Sequence, residues 1–444
     1  MASKKDLIEA QSFSRRRLLT AFTSGAAGGK ELEPARPMRA VVAGLVLTAL
    51  VVVGGVFSGM ISPGLPDGWS NNRLVVATDT GARFVSANGT LHPVVNTTSA
   101  RLLIPSGEFA VVTTSSSRIA KVPVGQSVGI IGAPDQLPAR TSLVGTGWTA
   151  CLGPDGSTQV TIAPTPHATA TDAAAVVTTR AGVFVVAGSR RYQVDPGRVD
   201  PVLRALGLGE ATRHQVDERW LDLFDPGTTL APVVVNDAGH PLAGTSLLVG
   251  QAVHAAGSPD ADRYVVQADG SLAALSPLAY QLYLLGTGSL QGTATDVPAA
   301  TLEALPTAVA PAGASGWPTA VPQALGADQQ VCALTTRTDG QATTSLAVGT
   351  ASGDGTPVTV APGAGALVRD NGRGTSSAGT LYLVDATGTA FPVAPDAETL
   401  ARLGYTSADV GVVPSGWIEL LPVGPALSTE AAGADAGRSS TVAP

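Results

Sequence analysis

The longest apolar run in this chain extends from Ala40 to Ile61 and contains no charged residue. At ~1.5 Å of rise per residue, a helix of this length reaches roughly the ~30 Å thickness of a bilayer's hydrocarbon core. A soluble helix as long as this would carry a polar face. The run therefore predicts a single transmembrane helix over residues 40–61. A cleaved signal peptide fits less well, because its apolar core is only about 7 to 15 residues long.

The segment before this run mixes apolar and charged residues in a helical pattern. Residues 3–22 contain no Gly or Pro, which predicts an amphipathic helix with Ser3 as its N-cap. The first 39 residues carry eight Lys or Arg against four acidic residues, and such segments tend to stay cytoplasmic. Arg15, Arg16 and Arg17 are candidates for docking a cytoplasmic partner. The alternative is a solvated basic helix beside anionic lipid.

Beyond the apolar run, short strands separated by turns recur four times. Residues 84–94 align with residues 383–393 and share Gly-Thr and Pro-Val at the same spacing. Weaker copies stand at 184–194 and 264–275, each an apolar strand, a Gly-containing turn and a second strand. A short helical pattern follows each copy, and after the second copy Asp200 is the predicted N-cap. Each hairpin is expected to pack on its helix or on a neighbouring copy.

Two further hairpins are predicted around the two cysteines of the chain. Cys151 precedes an Asp-Gly turn at 155–156, and Cys332 precedes a second Asp-Gly turn at 339–340. The first of these hairpins lies between copies one and two, and the other lies between copies three and four. This order suggests an approximate two-fold duplication that brings both cysteines close to its axis.

Composition narrows the classes of function. After residue 39 the chain holds 19 basic and 30 acidic residues, a balance that argues against nucleic-acid binding. The 52 Gly and 32 Pro, with 4% aromatic residues, indicate many short strands and turns. The residues beyond the apolar run exceed what one core usually covers, so several subdomains are expected.

Signals for catalysis and metal binding each have a structural explanation. The segment GQSVG at 125–129 has the spacing of a nucleophile elbow, but the glycine and prolines that follow it forbid the helix that this motif requires. The five histidines are scattered without a zinc-binding spacing. We predict no catalytic, cofactor-binding or metal-binding residue. Four tryptophans that follow a glycine are interpreted as core anchors, with a ligand platform as the alternative: Trp69, Trp148, Trp317 and Trp417.

Several long stretches of the sequence, in the same order, are similar to those of one known family: MASKKDLIEAQSFSRRRLLTAF, the apolar run, WSNNRLVVATDTGARFVSANGTLHPVV, VGIIGAPDQLP, both cysteine segments and LLPVGPAL. Over nearly its whole length the chain resembles this family, EccB, a membrane core component of actinobacterial type VII (ESX) secretion systems. The resemblance implies a single-span protein whose ectodomain has four repeats around a central, disulfide-linked β region. It also implies that the protein works with the EccC ATPase and the membrane proteins EccD and EccE.

Two cysteines on the oxidising side of a membrane are expected to form a disulfide, Cys151 with Cys332, and two free buried thiols are the alternative. Nucleotide hydrolase activity is attributed to the EccB family. The sequence nevertheless contains no phosphate-binding loop, because the glycine-rich stretch before Lys30 has Ser24 at the first glycine position and Glu31 where Ser or Thr is needed.

The predicted fold is mainly β with short helices (α+β): one transmembrane helix, then an elongated ectodomain of four hairpin-plus-helix repeats around a pseudo-two-fold central domain. The predicted function is a structural and assembly subunit of the ESX inner-membrane complex, with a cytoplasmic N-terminus, self-association and no cofactor. The alternative function is an extracytoplasmic nucleotide hydrolase or a cell-wall-binding protein that contacts peptidoglycan.

The predicted boundaries follow the patterns described above. They are a basic cytoplasmic segment (1–39), the transmembrane helix (40–61), repeat 1 (62–104), the first central-domain segment (105–175), repeat 2 (176–225), repeat 3 (226–286), the second central-domain segment (287–368), repeat 4 (369–410) and a C-terminal segment with a disordered tail (411–444). The tail from residue 427 is small, polar and turn-rich, so it is expected to be mobile and dispensable.

Overall fold

The computed structural model describes residues 3–24, 37–60, 65–259, 262–338, 341–349, 355–371 and 379–436. It divides into two units, residues 1–64 and residues 65–444. The glycine-rich stretch at 25–36 and the predicted turn at 339–340 lie outside the described residues.

The first unit contains two helices, α1 (Lys4–Ser24) and α2 (Pro37–Met60). Ser3 and Asp6 cap the N-terminus of α1, since the backbone N–H of Ser3 donates to the Asp6 carboxylate at 3.0 Å. Among the residues that are described, no helix is both long and apolar enough to cross a membrane. The part of the predicted 40–61 span from residue 54 onward lies outside the residues whose side chains are described.

The second unit is mixed α+β, mainly sheets with short helices, as the sequence predicts. It contains four small sheets, named here sheets 1 to 4, and a six-stranded central sheet. Sheet 1 and its helices are β1 (Leu74–Ala77), β2 (Arg83–Ala87), β3 (Thr90–Pro93), α3 (Thr97–Leu103), β4 (Val111–Thr114) and α4 (Ser116–Ile119). The first central strands are β5 (Thr149–Leu152), β6 (Thr158–Ile162) and β7 (Ala168–Ala170).

The middle of the chain supplies the next two sheets. Sheet 2 and its helices are β8 (Ala174–Thr179), β9 (Gly182–Ala187), β10 (Arg190–Gln193), α5 (Val199–Ala205), β11 (Arg213–Gln215), α6 (Glu218–Leu221) and β12 (Asp225–Pro226). Sheet 3 and its helices are β13 (Ala252–Ala255), β14 (Arg263–Val266), β15 (Leu272–Leu275), α7 (Pro277–Leu285), α8 (Gly288–Gln291), β16 (Thr295–Val297) and α9 (Ala299–Glu303).

The C-terminal third of the chain completes the central sheet and adds sheet 4. The remaining central strands are β17 (Gln330–Thr338), β18 (Gln341–Gly349) and β19 (Val358–Val360). Sheet 4 and its helices are β20 (Ala366–Asn371), β21 (Leu381–Val384), β22 (Ala390–Val393), α10 (Ala397–Leu403), β23 (Gly411–Pro414) and α11 (Ser415–Glu419), followed by α12 (Thr429–Gly433). The central sheet has the order β19-β6-β5-β17-β18-β7.

The four small sheets share one order of four strands, to which sheet 2 adds a fifth strand, β12, parallel to β10. In each of them three antiparallel strands form a meander, and a fourth strand lies parallel to the first, as in β3-β2-β1-β4. A parallel return requires a crossover, and the helix between the third and fourth strands supplies it. Leu102, Leu203, Leu282 and Leu400 lie on these four helices and are buried, so each crossover helix covers apolar surface.

Local chemistry sets the turns and helix starts. Asn88 and Gly89 both have positive φ, 49° and 73°, which is the conformation of a tight hairpin turn between β2 and β3. The prediction that Asp200 is an N-cap was wrong: α5 begins at Val199 after Arg198, and the Asp200 carboxylate instead pairs with Arg213 of β11 at 2.5 Å.

The small sheets pack in pairs. Apolar residues of sheet 2 and sheet 3, with α5 and α7, form one continuous core. A second core joins Leu102 of α3 to sheet 4 and α10, and Arg402 of α10 donates to the Leu102 carbonyl at 2.6 Å. The crossover helix of sheet 1 therefore packs against sheet 4 and its helix.

The expectation of a mobile tail was wrong for residues 428–436. Ser428 caps α12, and Ala432 on that helix is fully buried in the core that joins α3 to sheet 4. The N–H of Gly129 donates to the Ala434 carbonyl, and the N–H of Ala436 donates to the Ser127 carbonyl. Small residues fit this position because the helix approaches α3 closely.

Candidate functional site: the disulfide-linked centre

The central sheet brings the two cysteine segments together. β5 and β17 are antiparallel neighbours, and Cys151 and Cys332 stand directly opposite each other in this pair. Their sulfur atoms are bonded at 2.05 Å, so the predicted disulfide is present. The bond joins positions 181 residues apart, one from each half of the second unit.

The surroundings of this bond are apolar and closed. Cys332 has no exposed surface and Cys151 is 9% exposed, and Leu334 and Ala347 pack beside them. Gly349 leaves the room that the sulfurs occupy, since a Cβ at this position would stand 2.4 Å from the Cys332 sulfur. Little of this disulfide is open to a solvent reductant, which is the environment of a structural bond.

Three tryptophans are fully buried around the central sheet. The indole of Trp148, at the start of β5, donates to the Val144 carbonyl at 3.0 Å and stands edge-on to Trp417 at 6.4 Å between ring centroids. Trp417 on α11 donates to the Thr344 hydroxyl of β18 at 2.9 Å. These contacts support the interpretation of Trp148 and Trp417 as core anchors, because neither ring is open to a ligand.

Trp220 on α6 was missed by the sequence pattern, which relied on a preceding glycine. Its indole donates to the Ala150 carbonyl of β5 at 2.9 Å, and its ring packs against Phe224 at 5.1 Å. The signal that could have found it was Asp217, whose side chain caps the short helix that carries this tryptophan. Trp220 fastens sheet 2 to the central sheet in the same way that Trp417 fastens sheet 4.

A cleft of about 730 Å³ opens beside the turn between β5 and β6. Its lining includes turn residues 155–158, residues 215–219, Arg180, Pro357 and Leu420. The lining carries charges of both signs, from Arg180 and Arg219 and from Asp155, Asp217 and Glu218. No His or Cys is among the residues that line it.

The carboxylates of this cleft hold local backbone structure. Hydrogen bonds from Arg219, first from its backbone N–H, keep the pKa of Asp217 below its usual range. The Ser157 hydroxyl and N–H do the same for the pKa of Asp155. Both groups are therefore ionised at neutral pH. Asp155 accepts hydrogen bonds within its turn, and Asp217 accepts them at the start of the helix that it caps. The carboxylates of Asp155 and Asp217 therefore stabilise local backbone structure.

The histidines remain separate in the structure. His254 lies 3.0 Å from Asp296, while His92 contacts the Gln126 carbonyl at 3.2 Å. Burial lowers the pKa of His214, which keeps that imidazole neutral. Across the described ranges, no group of three His, Cys, Asp or Glu could hold a metal ion.

The candidate docking residues Arg15, Arg16 and Arg17 lie in the second half of α1 and are exposed. Several apolar side chains of the same helix are more than half exposed as well, among them Leu7, Phe13 and Leu18. α1 therefore presents both charge and apolar surface.

The sequence matches the model of the family described as "Type VII secretion system ESX-1, transport TM domain B" over residues 1–438. The chain belongs to this family, EccB. The ESX-3 secretion system ATPase EccB3 of Mycolicibacterium smegmatis is 26% identical to this EccB-family chain over 436 residues, which are 88% of this chain and 82% of the relative. EccB3 of Mycobacterium tuberculosis is 28% identical over 220 residues, and this match spans 40% of that relative's length.

Solved structures resemble the EccB-family chain in fold. A chain of the intact ESX-5 inner membrane complex has a TM-score of 0.66 and 24% identity, covering 100% of this chain and 97% of that one. A chain of the EccB3 dimer from the ESX-3 core complex has a TM-score of 0.65 and 24% identity, covering 81% of this chain and 99% of that one. At this level of identity the likeness establishes the fold.

Proposed function

We propose that this EccB-family chain is a non-catalytic structural and assembly subunit of a type VII secretion complex in the inner membrane. The observation that carries the proposal is the family match over residues 1–438. The fold likeness to a chain of an ESX-5 inner membrane complex supports it. So does the central site, where the disulfide and the buried tryptophans act in packing.

The proposed topology has one span at 40–61, the basic N-terminal segment in the cytoplasm and the four sheets outside. The uncharged run and the eight basic residues before it support this orientation. The disulfide supports it too, because disulfides persist in oxidising compartments. A reporter enzyme that is active only after export tests the topology. Fused at residue 30 it should be inactive and fused after residue 436 it should be active; the reverse result would overturn the orientation.

The four sheets are proposed to be repeats of one ancestral unit. Their shared strand order supports duplication, as does the recurrence of Gly-Thr and Pro-Val in the third-strand segments of sheets 1 and 4. The approximate two-fold duplication is proposed on the same grounds. It relates sheets 1 and 2 with β5 and β6 to sheets 3 and 4 with β17 and β18.

The proposed partners are EccC, EccD and EccE, together with further copies of this chain. The direct test is affinity purification of the tagged full chain from its native membranes, with identification of the proteins recovered. Recovery of these three partners is the expected result. If the chain is recovered alone from membranes in which the three partners remain associated, the assembly role is refuted.

Docking of a cytoplasmic partner through Arg15, Arg16 and Arg17 is tested by changing all three to Glu. We expect weaker recovery of the complex and normal membrane insertion. The matched control is Lys4→Glu with Lys5→Glu on the same helix, which changes the attraction to anionic lipid with a smaller effect on a specific contact. If the two variants recover the complex equally well, the docking role is refuted and the helix is assigned to contact with anionic lipid.

The alternative function is a nucleotide hydrolase or a cell-wall binder outside the membrane. The relatives from M. tuberculosis and M. smegmatis are named ATPases, which makes phosphate release the relevant measurement. We expect the purified full chain to release phosphate from ATP no faster than a sample denatured by heat. Sedimentation with purified peptidoglycan tests the second alternative, and retention at physiological salt would support it against the assembly role alone.

A further inference from the structure

The fourth strand of each small sheet lies at an edge, and the four edges differ in what protects them. An exposed edge strand presents unpaired N–H and C=O groups to any other strand, so proteins cover such edges or place charges or Pro on them. The four strands at this position are β4, β11, β16 and β23.

Three of these edges are protected. β11 carries Arg213 and His214, and the turn at Gly156 lies so close that a Cβ there would stand 2.8 Å from the Gln215 carbonyl. β16 has three residues, and its middle residue is Asp296, which is charged. β23 ends in Pro414, and the first residue of this strand packs against the backbone of residue 145.

β4 has none of these protections. Its residues are Val111, Val112, Thr113 and Thr114, so the strand is uncharged and β-branched throughout. Val111 is 53% exposed, and Thr113 is exposed on the same face. Such a strand has a high propensity for further pairing.

The outward backbone groups of β4 can be assigned from its pairing with β1. The Ala110 and Thr114 carbonyls accept hydrogen bonds from Leu74 and Thr78, so alternate groups of the strand point toward β1. The N–H and C=O groups of Val111 and Thr113 therefore point the other way. Within the described residues, no hydrogen bond to these four groups is present.

We propose that β4 is a self-association edge that pairs antiparallel with β4 of a second copy of this chain. The inference rests on the self-association in the proposed function and assigns a surface to it. With the two-fold axis at Val112, Val111 of one copy faces Thr113 of the other. The outward groups then form about four intermolecular backbone hydrogen bonds, as in any pair of hydrogen-bonded positions in an antiparallel ladder.

The absence of charge on β4 favours an identical partner. Two copies of this strand face each other across a two-fold axis without bringing like charges together, which an edge such as β16 cannot do. The joined sheet would have the order β3-β2-β1-β4-β4-β1-β2-β3, and eight strands lie within the usual size of a sheet. Four residues bury too little surface for a stable dimer in free solution, so this contact acts between copies already held in one assembly.

The test is disulfide crosslinking between two differently tagged full-length copies in native membranes. One copy carries Val111→Cys and the other carries Thr113→Cys; Cys151 and Cys332 are already bonded to each other. We expect a disulfide-linked pair that contains both tags after mild oxidation. The matched control replaces Val111→Cys with Val234→Cys, an exposed valine near sheet 3. Crosslinking no stronger than this control would overturn the inference.

A second variant, Thr113→Pro in both copies, removes the outward N–H without removing a hydrogen bond to β1. We expect the unfolding midpoint to remain unchanged. The yield of a disulfide between two copies that also carry Val112→Cys, which face each other across the two-fold axis, should fall about tenfold, since two intermolecular hydrogen bonds are lost. An unchanged yield, or crosslinks from β4 to a different protein only, would overturn the inference. If the wild-type chain recovers EccC, EccD and EccE while these crosslinks fail, the self-association edge is refuted and the assembly role is retained.

Discussion

Replacing both cysteines by alanine should destabilise the second unit by a predictable amount. The disulfide closes a loop between positions 181 residues apart, and the chain-entropy model gives about 5 kcal/mol for this length. Measured effects are often smaller, so we expect a loss of ~2 to 5 kcal/mol. For a cooperative unit of this size, that corresponds to a decrease of roughly 3 to 6 °C in Tm.

The serine pair is the matched comparison for this experiment. Cys332 is fully buried beside Leu334 and Ala347, so a serine hydroxyl there lacks a polar partner and adds about 1 to 3 kcal/mol for each group left unsatisfied. Thermal unfolding of the full chain, followed by tryptophan fluorescence, should rank wild type above the alanine pair and the alanine pair above the serine pair. An alanine pair that unfolds at the wild-type temperature would refute the loop-closure argument. A serine pair equal to the alanine pair would refute the burial argument.

Three further predictions concern packing, pH and the tail. Trp220→Ala should cost about 3 to 5 kcal/mol in a denaturant titration, because it leaves a cavity and removes the hydrogen bond from the indole to the Ala150 carbonyl, and Trp220→Phe should cost less. The Arg140 guanidinium holds the pKa of Asp409 below its usual range, so their contact adds stability above pH ~4 and loses it as the pH falls below that value. Asp409→Asn should therefore flatten the acid side of a plot of Tm against pH, and an unchanged slope would contradict this assignment. Ending the chain after Ser428 should lower Tm because α12 is lost, whereas ending it after residue 436 should leave Tm unchanged.

Local signals in the sequence were sufficient to predict the hairpin turns and the disulfide of the central sheet. Asn88 and Gly89 predict their turn because both adopt positive φ at low cost. Between β5 and β6, Asp155 is followed by Gly156, which has positive φ. The disulfide followed from a count of two cysteines, both on the side of the membrane predicted to be oxidising. These features depend on residues close in sequence or on a chemistry with one available partner.

The fourth strands could not be predicted in the same way. β4, β11, β16 and β23 have only three or four residues each, too few for a periodic pattern, and each pairs in parallel with a strand that lies earlier in the chain. The prediction of a mobile tail was wrong for a related reason. Ala432 is small, and a sequence rich in small residues resembles a linker until a neighbouring helix is seen to need a close approach.

The short helices that follow the four fourth strands nevertheless distinguish two kinds of edge. Some edges pack toward the central sheet, and the others do not. After β11 and β23 a short helix carries a tryptophan, Trp220 or Trp417, which reaches the central sheet and turns that edge inward. After β4 and β16 the corresponding helices carry Ile119 and Leu302, which pack within or beside their own sheets. β4 and β16 are therefore the two edges that do not pack toward the central sheet. Of these two strands, only β16 carries an acidic residue. If the four sheets arose by duplication, their fourth strands would have diverged: two pack toward the central sheet, one carries an acidic residue and one is uncharged. The uncharged sequence of β4 is consistent with the proposed contact with a second copy.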